Sequence, residues 1–260
     1  MNVFDITKYM EKIAPVSLAM DWDNPGLIIG DAERKLESVV VCLDVTKDVV
    51  DFAIENRANL ILSHHPFIFN GIKSINTKSY KGTLIEKIIK NDICVYAAHT
   101  NFDFAPNGLN NQLARKLDLR YDNSLFLGSD KERIVGKIGE TIGTLKFSDF
   151  VENLKNKLNV STVRTVGNLD RVINKVAVFC GAFDYSFLKI VAKRVDCIVT
   201  GDLKYHVAMD ILESGLNAVD AGHFGTEYIF VECVKKLLEQ EFSEIKVLTL
   251  DNEKDLLVCM

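Results

Sequence analysis

Five histidines and a few acids carry most of the chemistry that this chain of 260 residues can do. His64 and His65 stand together in "LSHHPFIF", His99 in "AAHTNFD", His206 in "TGDLKYH" and His223 in "DAGHFGTE". All five lie at or just beyond the end of a predicted strand, and none falls within a charged surface stretch. Two of them open a His-x-x-x-acid motif, His99 with Asp103 and His223 with Glu227. Imidazoles close to carboxylates, with no thiolate in the same motifs, are ligands for zinc, iron, manganese or nickel. Neighbouring side chains on an extended backbone point to opposite faces, so His64 and His65 are expected to touch two ions rather than chelate one. Pro66 restricts His65 to extended conformations, which favours that divergence. A carboxylate can bridge two cations through its two oxygens. The set that follows is dinuclear: His64, His65, Asp103, His223 and Glu227. Each motif alone has a plainer reading, since a four-residue spacing on a helix also makes a surface hydrogen bond and a histidine before proline also caps a turn.

Elements that place these residues alternate along the chain. "ESVVVCLDV", "NLILS" and "DICVYAAH" predict strands, with helices over "TKDVVDFAIENRA" and "KGTLIEKIIKN" between them. The fold class is α/β, in which the carboxyl ends of parallel strands share one edge and ligands bind there. After the predicted helix "NGLNNQLARKLDL", the segment "RYDNSLFLGSDKER" carries turn residues and charge and is the expected linker; "VGKIGETIGTLKFSDFVENLKNKLN" then predicts a strand pair and an amphipathic helix. Shifting the first half by 137 residues lays Val39–His65 on Val176–Asp202, and a shift of 124 lays "AAHTNFD" on "AGHFGTE". This reads as an internal duplication, two α/β halves facing one another, 1–125 completed by 226–260, and 126–225. The alternative is the general likeness of any two β-α-β units.

Composition sets bounds. A net charge of −5 gives no global basic field, so nucleic-acid binding would need a local patch. Six cysteines (Cys42, Cys94, Cys180, Cys197, Cys233, Cys259) are scattered singly and read as small core residues of a reduced, cytoplasmic chain. No apolar run has membrane-spanning length, and no Walker loop or Rossmann glycine pattern is present. Trp22, the one tryptophan, reads as a core anchor before the Pro-Gly turn of "MDWDNPGLIIGD", with substrate stacking as the other reading.

"WDNPGLIIG", "LSHHPFIF", "AAHTNFDFAPNGLN", "VTGDLKYH" and "DAGHFGTE" occur in one order across nearly the whole chain. Together they resemble the dinuclear metal-centre hexameric family related to the Ngg-one-interacting factor three, whose members are often labelled type 2 GTP cyclohydrolase I homologues. The resemblance implies two interlocked α/β lobes with a metal pair in the cleft between them, held by the same five residues, and a toroidal homohexamer of three dimers. It also implies the compact form of the family, without the middle domain of longer relatives. Metal-dependent hydrolysis of a nucleotide or similar small molecule suits two divalent ions (iron, zinc or manganese). His99 and His206 are then candidate proton carriers, while Asp202 and Lys204 are candidates for holding a ligand histidine or an anionic substrate group. Two other functions use the same residues: a nucleic-acid- or protein-binding ring with structural metals, and a metal chaperone or buffer.

Overall fold

The computed structural model describes residues 1–251 and 253–258, with backbone alone at 121 and 122. It forms two compact units, Met1–Phe102 with Phe230–Lys254, and Asp103–Ile229 with the residues from Asp255 onward.

The first unit contains α1 (Val3–Ile13), β1 (Gly26–Ile29), β2 (Ser38–Cys42), α2 (Lys47–Glu55), β3 (Leu60–Ser63), α3 (Tyr80–Lys90) and β4 (Cys94–Ala97). At the junction lies α4 (Thr100–Phe104). The second unit continues with α5 (Leu109–Lys116), β5 (Arg120–Leu125), β6 (Gly136–Lys146), α6 (Phe147–Leu158), β7 (Arg164–Val166), β8 (Val172–Ala182), α7 (Ser186–Val191), β9 (Cys197–Gly201), α8 (Tyr205–Glu213), β10 (Asn217–Asp220) and α9 (His223–Glu227). The chain then returns to the first unit through α10 (Ile229–Glu241) and β11 (Lys246–Thr249).

In the first sheet the strand order is β1-β4-β3-β2-β11, parallel except for β1. Strands β2, β3 and β4 are buried at every position, which is why they read as unbroken apolar runs rather than as alternation. Capping side chains start the helices: Asn2 and Asp5 bond reciprocally at α1, Thr46 accepts from the Val49 amide at α2, and Ser79 accepts from the Gly82 amide at α3. Val49, Val50, Ala53, Leu84, Ile85 and Ile88 then pack onto Val40, Ile61 and Val95 of the sheet.

The second sheet runs β5-β6-β8-β9-β10-β7, with β8, β9 and β10 parallel. The segment expected as a linker supplies β5, paired antiparallel with β6. Its turn-forming residues sit on an edge strand, where they break no ladder on the outer side. The expected strand pair after it is one strand, β6, whose register shifts between Glu140 and Leu145, where Gly143 takes φ +75°.

Strand register gives the repeat physical content. Val39 pairs with Leu60 and Val176 with Cys197, so β2-α2-β3 and β8-α7-β9 keep the 137-residue shift in their ladders. Ser63 lies opposite Ala97, whereas Thr200 lies opposite Asp220. The ladder shift there is 123 rather than 124, because the second copy carries one more residue before its histidine. That copy passes through Gly222, at φ +81°, before His223. In both units an antiparallel strand, β1 or β7, closes the side beyond the third parallel strand.

Candidate metal centre

At the carboxyl edge of the first sheet, β2 is followed by Asp44, β3 by His64 and His65, and β4 by His99. The ligand nitrogens of the three histidines lie within 4.8 Å of one another. Each ring is held through Nδ1. His64 donates to the Ala98 carbonyl at 2.8 Å, His65 pairs with Asp44 at 2.9 Å, and His99 pairs with Asp23 at 2.7 Å. A carbonyl can only accept, so His64 carries its proton on Nδ1 and its lone pair on Nε2; the carboxylates favour the same tautomer in the other two rings. His64 is buried against Phe230, with ring centroids 4.8 Å apart, and Phe230 in turn packs on Phe102.

The chain bends at the two adjacent histidines. β3 ends at Ser63, whose hydroxyl donates to the His65 carbonyl at 2.8 Å in a tight turn. The His64 and His65 ring centroids are consequently 5.0 Å apart. His99, expected as a proton carrier, stands in the same group as the two expected ligands.

Acidic groups dominate the corresponding edge of the second unit. His223 pairs through Nδ1 with Asp202 at 2.8 Å, while its Nε2 lies 2.9 Å from Glu227 Oε2, one helical turn along α9. Glu227 is 3% exposed. Room for it comes from Gly181, at φ +61°, where an added Cβ would stand 2.1 Å from Glu227 Oε1 and 3.4 Å from the His223 ring. The Gly181 amide donates to Thr226 Oγ1 at 3.0 Å, and that hydroxyl bonds back to the Gly222 and His223 carbonyls. Gly201 has a similar role: a Cβ there would meet the backbone of Gly222 and His223 at 2.7–2.8 Å. Asn110, 2% exposed, accepts from the Cys180 amide and donates to the Asp103 and Ile134 carbonyls, tying Asp103 to β8. Burial pushes the Cys180 thiol well up, and the negative charges of Asp103 and Glu227 push it further. Cys180 therefore stays a neutral thiol, and the field around it is negative.

Each unit by itself offers donors that fit divalent cations: the first imidazole nitrogens with fixed tautomers, the second an imidazole, carboxylate oxygens in a negative field and a glycine whose missing side chain makes space for one carboxylate. His223 Nε2 and Glu227 Oε2, 2.9 Å apart, are the pair of donors in this unit that would hold a cation together.

The remaining expected residues are placed differently. Lys204, Tyr205 and His206 are exposed where α8 begins, and the His206 ring touches that of Tyr205. Among the described residues His206 joins no metal-capable group. Trp22 is not a core anchor but is 55% exposed, because its neighbour Asp23 turns inward in its place. Of the cysteines, Cys42, Cys94 and Cys197 are buried, Cys180 and Cys233 partly so, and Cys259 lies outside the described residues. Sequence reasoning missed Asp44, Asp23, Asn110, Gly181 and Gly201. For Asp44 a signal existed, since it follows β2 at the edge where the histidines cluster.

The family model of Duf34/NIF3 (NGG1p interacting factor 3) matches residues 1–255. The chain belongs to the Duf34/NIF3 family. A Clostridium acetobutylicum relative named GTP cyclohydrolase 1 type 2 homolog is 36% identical over 243 residues, covering 92% of this chain and 90% of its own. A Bacillus subtilis relative of the same name is 29% identical, covering 91% of this chain and 92% of its own. That alignment runs over 343 positions, so the relative carries inserted sequence that this Duf34/NIF3 chain lacks. The crystal structure of a Bacillus cereus protein related to NIF3 superposes with a TM-score of 0.92 at 28% identity, covering 100% of this chain and 99% of that one. No helix among the described residues is long and apolar enough to cross a membrane.

Proposed function

We propose that this Duf34/NIF3 protein holds two divalent metal ions through His64, His65, Asp103, His223 and Glu227, and that it hydrolyses a nucleotide or a similar heterocyclic small molecule in the cytoplasm. One observation carries the reading: His64, His65 and His223 are each fixed through Nδ1 by a carbonyl or carboxylate, the arrangement that sets Nε2 as a metal ligand. Iron, zinc and manganese all suit these donors. The relatives' name points to a purine nucleotide as the substrate class.

Bound cations would supply Lewis acidity and a water acidic enough to attack near neutral pH. The chain's own residues prepare that chemistry. Asp44 and Asp202 orient His65 and His223. His99, outside the five ligands, passes a proton at Nε2 while Asp23 steadies its other nitrogen. Burial pushes the Asp23 carboxyl up, but the hydrogen bond and charge of His99, with the bonds from Thr100 and Asn24, bring it below its ordinary value, so it stays an anion. Lys204 offers a cation to a substrate phosphate. Assembly as a hexamer of three dimers belongs to the same proposal, and light scattering of the purified protein reads it directly.

The test is a hydrolysis screen over GTP and other purine nucleotides with metal-loaded protein. His64→Ala and Glu227→Ala should lose bound metal and turnover together. Normal turnover by a metal-free variant would overturn the hydrolase reading, while salt-sensitive DNA binding without hydrolysis would favour a scaffold.

A further inference from the structure

We propose that Trp22 and Phe69 form a stacking platform for a fused nitrogen heterocycle, placing its ring beside His99. The platform is built within the first unit and deepens the hydrolase reading above, on which it rests for what happens to the ring once bound.

Trp22 is 55% exposed and Phe69 43%, although burial of such rings is a main source of stability. They touch each other, with centroids 5.7 Å apart, and lie 6.2 and 6.0 Å from the His99 ring. Neither is a loose surface ring. On one side of Trp22, the Met20 amide donates to Thr100 Oγ1 at 3.0 Å. On the other, the Asp23 side chain is wholly buried, holding His99 Nδ1 and accepting from the Thr100 amide at 3.1 Å and from the Thr100 hydroxyl. Asn24 Nδ2 donates to the Ile68 carbonyl at 2.6 Å, pinning the Trp22 loop to the residue before Phe69. The carboxylate that orients His99 thus also anchors the loop that exposes Trp22.

Two half-exposed aromatic rings, tilted 44° to one another beside an imidazole, suit a flat π-system that stacks on one ring and contacts the other, with little dependence on its substituents. His99 shares a 4.8 Å group with His64 and His65, so a ring on the platform lies next to the imidazole cluster. A purine is the class of heterocycle that the relatives' names suggest.

Because Trp22 is the single tryptophan, its fluorescence reports the platform directly. Full-length protein is titrated with GTP, guanosine and ribose 5-phosphate, and metal content is measured on the same samples. Saturable quenching by GTP and guanosine, but not by ribose 5-phosphate, is expected. By calorimetry, Trp22→Ala and Phe69→Ala should each weaken GTP binding roughly 5- to 100-fold, with Trp22→Phe close to wild type and metal content unchanged in all three. The proposal is overturned if ribose 5-phosphate binds as tightly as guanosine, if Trp22→Ala binds GTP normally, if neither ring compound quenches, or if Trp22 is already shielded from iodide in the ligand-free protein, as a second copy covering it would cause. Wild-type protein that retains no metal but still shows ring-dependent quenching would sink the metal reading and leave the platform standing. Full metal content without ring binding would do the reverse.

Discussion

Substituting Gly181 by alanine isolates the space on which the Glu227 carboxylate depends. At φ +61° an L residue costs about 1–2 kcal/mol in the backbone alone. The new Cβ would also stand 2.1 Å from Glu227 Oε1. Ordinary contact needs roughly 3.2 Å, so the carboxylate must retreat by about 1 Å, and a displacement of that size at a reacting or ligating group costs on the order of 100-fold. Glu227 is 3% exposed, so it has packed neighbours rather than water to move into. Gly128 supplies the control, since it has the same φ of +61° and nothing within 4 Å of an added Cβ. Both variants should melt a few degrees below wild type, at about 2–4 °C per kcal/mol for a chain of this size. Chelator competition followed by metal analysis should show about 10- to 100-fold weaker metal binding in Gly181→Ala and wild-type binding in Gly128→Ala. Equal metal affinity in the two variants would mean that the backbone cost is the whole effect and that the Glu227 carboxylate does not depend on this space.

Asp44→Ala and Asp202→Ala should each weaken metal binding about 10- to 100-fold by releasing a ligand ring, as measured by the same competition. Their melting temperatures in the metal-free state should stay near wild type, because both carboxylates are substantially exposed. Stability should fall on the alkaline side. Burial raises the Cys197 thiol in the fold, so above about pH 8.5 the unfolded chain releases a proton that the folded chain keeps. Stability is then lost as pH rises, by at most ~1.4 kcal/mol per pH unit for this group. Urea titrations between pH 8 and 10.5 should show a shallower decline for Cys197→Ala; an unchanged slope would mean that the thiol does not contribute.

What could be read from sequence alone follows from the range of each interaction. Strands β2, β3 and β4 were legible because burial on both faces makes each a continuous apolar run that stops at a polar residue. The histidines stood out for the same reason, each being the first strongly polar chemistry past a strand end. Of their supports, Asp44 had a signal in its strand-end position, although it is 21 residues from His65, while Asp23, 76 residues from His99, had none. At His64 and His65 the hydroxyl-to-carbonyl bond from Ser63 bends the chain straight after β3, a local detail that alternation does not carry. Trp22 was misread because an average preference for burial does not show that Asp23 takes the inward position. Residues of β5 have turn-forming character, and only their pairing with β6 makes them a strand.

Cation binding by imidazoles and carboxylates underlies every role assigned to these residues, and the metal stoichiometry of gently purified protein reads it out. Elemental analysis should find about two divalent ions per chain, falling below one in His65→Ala and in Glu227→Ala while both remain folded. Folded wild-type protein that takes up no stoichiometric iron, zinc or manganese, even after incubation with each, would contradict it.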